Sequence, residues 1–97
     1  MSSNIHYLIR SKIDGKYLAA RPGTDRGSTE ISYLLMFREN FEALSYLNTH
    51  AGSLADRFVV ESVAGTELKK LLKRWGFHGI ALVIDPLVPQ IDFLSYV

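Results

Sequence analysis

Hydrophobic and polar positions along this chain switch between two periods, and the switches mark its elements. Ile5-His6-Tyr7-Leu8-Ile9-Arg10 and Lys16-Tyr17-Leu18-Ala19-Ala20-Arg21 are both rich in β-formers, with Asp14-Gly15 between them. An Asp-Gly pair can take positive φ at both central turn positions, which matches the twist of flanking strands. Residues 5–21 are therefore predicted to form a β-hairpin. Glu30 to Phe37 begins as alternation and ends in an unbroken apolar run, the pattern of a buried central strand. From Arg38 to Asn48 the period changes, and Phe41, Leu44 and Leu47 fall on one helical stripe with Phe37 just before it. Asn40 is the expected cap, since its side chain can bond an orphan amide, and Thr49-His50-Ala51-Gly52-Ser53 ends that helix.

The second half repeats the alternation. Arg57 to Val63 reads as a strand, and Ala64-Gly65-Thr66 turns the chain into a helix over 67–75. Leu68, Leu71, Leu72 and Trp75 sit there at i, i+3, i+4 and i+7, one apolar face. Glu67 in the first turn and Lys73 and Arg74 in the last suit the helix dipole, and Gly76 is a left-handed stop. Gly79 to Ile84 is a second buried strand closed by Asp85-Pro86, and residues 91–97 form a last edge strand. The reading is one α+β domain over residues 1–97 with the order β-β-β-α-β-α-β-β. Two amphipathic helices are expected to cover one face or one side of a mixed sheet.

Composition narrows the function classes. The chain has 97 residues, one domain's worth, and 47% are apolar, enough for a core. A chain this short buries a modest share of its surface, so pairing with a second copy would help it. A net charge of +1 gives no long-range field for nucleic acid or an anionic membrane. The absence of cysteine excludes disulfides, thiolate metal sites and a cysteine nucleophile, and fits a reducing compartment. The N-terminus does not read as a signal peptide, and the run Ile80 to Ile84 is far short of the roughly 20 residues that span a bilayer. A cytoplasmic location is expected.

No motif carries chemistry. His6, His50 and His78 are dispersed, so no metal is expected; no nucleophile elbow or phosphate loop is present either. The loop Arg21 to Ser28 holds two glycines four apart, which is not a dinucleotide fingerprint. Asp85 stands just past a predicted core strand, where ligands of open α/β sheets often bind, but Asp85 before Pro86 also simply opens a turn. Arg21 or Arg26 could hold an anion beside it. Lys69, Lys70, Lys73 and Arg74 share the face opposite the leucines and could meet phosphates, although a solvated helix face with its cations near the C-terminus is the favoured reading. Trp75 is assigned to the core.

Laid out in order, Tyr33 to Phe37, Phe58-Val59-Val60-Glu61, Gly65-Thr66-Glu67-Leu68 with Leu71-Leu72, and Gly76-Phe77-His78-Gly79 running to Asp85-Pro86 resemble the N-terminal domain of the SseB-like family. The resemblance covers about residues 31–86, with Asp85 where that family usually has Asn. It implies an α+β fold and an interaction or regulatory role, and brings no catalytic residue.

Three classes of function follow. The first is a non-catalytic module that binds a protein or pairs as a homodimer, using the hairpin of 5–21 or the tail of 91–97 as an edge. The second is a ligand binder or enzyme with a site at Asp85 and the 22–28 loop. The third is a nucleic-acid binder through the basic face of 67–75. The first ranks highest because catalytic polar clusters are lacking; no cofactor and no membrane partner are expected.

Overall fold

The strands form one mixed sheet, and their burial explains why two of them read as continuous apolar runs. A computed structural model of the chain describes residues 5–21 and 31–95. Its elements are β1 (Ile5–Ser11), β2 (Ala19–Ala20), β3 (Tyr33–Phe37), α1 (Asn40–His50), a 3-10 turn (Gly52–Arg57), β4 (Phe58–Ala64), α2 (Gly65–Trp75), β5 (Gly79–Asp85) and β6 (Gln90–Ser95). The sheet runs β4-β1-β3-β5-β6, with the short β2 joined to β3. Antiparallel pairing of β1 with both β3 and β4, and parallel pairing of β3 with β5, make β3, β4 and β5 parallel to one another. The described residues are a single α+β domain, with the element order expected from the pattern.

The core lies in two layers. Ile9, Leu35, Phe37, Ala81 and Val83 face α1 with Ala43 and Leu47, while Leu8, Leu34 and Met36 face α2 with Leu72. Adjacent residues of β3 thus point into different layers, so every position from Leu34 to Phe37 must be apolar. The helices lie on opposite faces of the sheet, not on one. The connection from β3 to β4 runs one way across the sheet and that from β4 to β5 runs back. Crossovers between parallel strands keep a right hand, so reversing direction moves the helix to the other face.

Four local expectations are corrected. The 5–21 hairpin is only partly one: Arg10 bridges Tyr17, but Leu18 donates its N–H to the Ile9 carbonyl while its own carbonyl receives the Leu35 N–H. The returning strand is wedged between β1 and β3, and β1 is interior. In its turn only Gly15 takes positive φ, and Asp14 instead accepts the Lys16 N–H. The cap of α1 is Glu39 rather than Asn40, with no side-chain hydrogen bond. Phe41 is 65% exposed and Leu44 is also exposed, while Ala43 and Leu47 are buried. Trp75 is 39% exposed, at the rim rather than in the core.

The end of α2 follows its sequence signal closely. Gly76 has φ +74°, the Gly76 N–H reaches the Lys73 carbonyl, and the Phe77 N–H reaches the Leu72 carbonyl at 2.9 Å. This is a Schellman stop, closed by the shared packing of Phe77 and Leu72.

Candidate functional site

Asp85 ends β5 and begins the turn into β6. Its carboxylate oxygen accepts the N–H of Leu87 at 2.9 Å and of Val88 at 3.4 Å, an Asx turn. That turn is fastened to α1. Arg38 donates to the Ile84 carbonyl and pairs with Glu42 at 3.1 Å, and His50 Nε2–H donates to the Pro86 carbonyl at 2.8 Å. Arg38 stands just before α1 and His50 at its end, so the turn is held at both ends of the helix, with Glu42 in the first turn steadying Arg38. Glu42 Oε1 is buried there without a partner. One carboxylate oxygen of Asp85 and the Ile84 and Pro86 carbonyls are thus used in holding the turn.

Arg21 is elsewhere. It follows β2, whose Ala20 is opposite Tyr33, and Tyr33 is opposite Gly79 at the start of β5. Asp85 lies at the other end of that strand, roughly 20 Å away at 3.3 Å per residue. The two do not share a site. Arg26 and the 22–28 loop lie outside the described residues. On α2, Lys69, Lys70, Lys73 and Arg74 are exposed, and Lys70 is 3.9 Å from Glu67 one turn back.

A different group of residues is brought together at the Arg21 end. Tyr17 donates its hydroxyl to Glu61 at 2.5 Å, and Glu61 also pairs with Arg10 at 3.3 Å. The Arg10 guanidinium lies over the Tyr17 ring, 4.9 Å from its centre, and is held by the Gly15 carbonyl. Trp75 packs edge-on against Tyr17, with ring centres 5.3 Å apart. Beside them a cleft of about 190 Å³ is lined by Lys16, Tyr17, Ala19, Arg21, Ser32, Trp75 and Phe77. Sequence reasoning missed it, because β2 meets the start of β3 through strand pairing and the end of α2 joins them only by packing, as Trp75 does on Tyr17. A second cleft, about 230 Å³, lies by α1 between Leu18, Tyr46, His50, Leu54 and Phe58.

The Tyr17 phenol is held above its ordinary value of 10.0, first by burial and then by the Glu61 hydrogen bond and charge, with Arg10 opposing. Burial alone raises Tyr46. A raised folded value means the associated stability is full below the unfolded tyrosine pKa and is lost as pH rises through the folded one. Alkaline titration of the wild type, followed by tyrosinate absorbance, is expected to show late-ionising phenols, one of which disappears in Tyr17→Phe. An unchanged profile in that variant would contradict the arrangement.

The sheet edges are β4 and β6. On β6, Phe93 is 41% exposed and Leu94 49%, and they alternate across the two faces. Among the described residues no group of three His, Asp or Glu could hold a metal, and no helix is long and apolar enough to cross a membrane. Compared with known proteins, the chain matches no family model, no curated protein and no solved structure.

Proposed function

We propose that this chain is a non-catalytic interaction module of the cytoplasm that pairs with a second copy of itself through β6. One observation carries the reading: β6 is a six-residue outer strand without lysine or proline, with apolar side chains exposed on both faces. Edge strands otherwise tend to be shielded by such residues, because unpaired N–H and C=O groups recruit another strand. Of the two edges expected from sequence, β1 is enclosed by β4 and β3, which leaves β6. The β4 edge is less suited, since a 3-10 turn and α2 flank it directly.

A second copy fits by symmetry. Antiparallel pairing about a two-fold axis at Phe93 sets Ile91 against Ser95 and Asp92 against Leu94. The single charge of the strand then meets no like charge. The resemblance to the SseB-like family over residues 31–86 points to the same class of role.

Light scattering from micromolar to millimolar concentration tests this. The expected result is a mass that rises to twice the monomer, and a monomer throughout in Leu94→Lys with the circular dichroism spectrum unchanged. A wild-type monomer at every concentration overturns the reading, as does a Leu94→Lys variant that dimerises normally.

A further inference from the structure

The cleft beside Tyr17 brings aromatic and cationic side chains together on one surface. Three aromatic side chains, Tyr17, Trp75 and Phe77, form its apolar walls, and Lys16 and Arg21 stand among them with Ser32. Trp75 remains 39% exposed although it ends the apolar stripe of α2, so part of the largest ring in the chain faces open space. Tyr17 cannot turn to fill that space. Its hydroxyl is tied to Glu61, the Arg10 guanidinium lies over its ring, and Trp75 meets it edge-on. Phe77 is fixed by the Schellman stop and by packing with Leu72. The aromatic walls are therefore held in place before anything binds, which lowers the ordering cost of binding.

We propose that this cleft binds a small planar aromatic anion, a single ring that carries a carboxylate or phosphate. The volume of about 190 Å³ sets the size. A cavity of about 150 Å³ accommodates benzene, so this open cleft has room for one ring and a small substituent. The aromatic walls favour a ring, through stacked and edge-on contacts, over an aliphatic group of equal bulk. The cations set the charge. Lys16 carries the larger part, because Arg21 has a contact of its own. Asp14, exposed and two residues away, lies within electrostatic reach of Lys16 and moderates its pull without occupying the cleft. Ser32 adds a hydroxyl that can donate to the same anionic group.

The chain carries its own reporter, since Trp75 is its one tryptophan. Titration of the full chain with phenyl phosphate and with benzoate, followed by tryptophan fluorescence, is expected to give a saturable change. Cyclohexanecarboxylate, which has the charge without the ring, and benzyl alcohol, which has the ring without the charge, are expected to bind at least about tenfold more weakly. Lys16→Gln changes an exposed residue and leaves the fold intact by amide NMR, yet is expected to weaken both aromatic anions about tenfold. Amide shifts should gather at residues 16–21, 32 and 75–77. Fluorescence that falls linearly with added probe, equal binding of cyclohexanecarboxylate, or unchanged affinity in Lys16→Gln each overturns the proposal. The readout does not depend on β6, so a monomeric protein leaves the result as informative as a dimeric one.

Discussion

Phe37→Ala is expected to lower the stability of the folded chain by about 3–5 kcal/mol, the range for truncating a buried phenylalanine. Phe37 is fully buried, at the end of β3 in the middle of the sheet, where Tyr7 of β1 and Val83 of β5 flank it. It packs with the Tyr46 ring at 5.3 Å and so joins the sheet to α1. Alanine would leave a void there, because two strands and a helix fix the walls and cannot close in. A domain this size is stable by roughly 5–15 kcal/mol in total, so the loss is about a fifth of the whole or more. The melting temperature should fall by roughly 12–40 °C at about 4–8 °C per kcal/mol. Phe41→Ala supplies the control. It lies in the first turn of α1 and is 65% exposed, so its loss should cost within about 0.5 kcal/mol. Guanidinium unfolding of the two variants decides the matter. Equal midpoints would mean that α1 packs through the Phe41 side and that the assignment of the core is wrong.

That contrast shows where the sequence could be read and where it could not. β3 and β5 were legible because burial on both faces forces an unbroken apolar run, which few other environments produce. α2 was legible for the opposite reason: it has one apolar stripe, charged residues elsewhere and a glycine at its end. α1 carries Phe41, Ala43, Leu44, Tyr46 and Leu47, which surround much of the helix. Its pattern marks a helix but does not choose a side. The sheet chose it, through the close approach that the small Ala43 allows. The placement of the two helices on opposite faces was hidden too, since it depends on the direction in which the chain crosses the sheet. The candidate sites divide in the same way. Of the two edges read from the sequence only β6 is one, since β1 is enclosed, and Asp85 before Pro86 announces its turn. The Tyr17, Trp75 and Phe77 cleft draws on residues nearly sixty positions apart, and no local pattern joins them.

Gly79→Ala is the second large effect, and its cause is space rather than backbone conformation. Gly79 opens β5 and is paired with Ser95 of β6. A Cβ built there would fall 2.0 Å from the Leu94 carbonyl oxygen and 2.8 Å from the Ser95 Cα, both backbone atoms. A side chain could rotate away from such a contact, but a strand has to move as a unit. The substitution should therefore cost about 1–3 kcal/mol, the range for overpacking, and the strain should be relieved by displacement of β6. Gly76→Ala separates the two mechanisms. Its Cβ would meet nothing within 4 Å, but its φ of +74° penalises any side chain, so about 1 kcal/mol is expected with no effect on β6. Hydrogen exchange distinguishes them: in Gly79→Ala the amides of residues 90–95 should lose protection well before those of β1 and β3, and in Gly76→Ala they should not. Because β6 is the proposed pairing edge, Gly79→Ala should also shift the monomer–dimer balance toward monomer while the rest of the sheet stays folded. Retained protection of β6 in Gly79→Ala would mean that β5 and β6 lie farther apart than this register allows, and the edge assigned to self-association would then have to be drawn elsewhere.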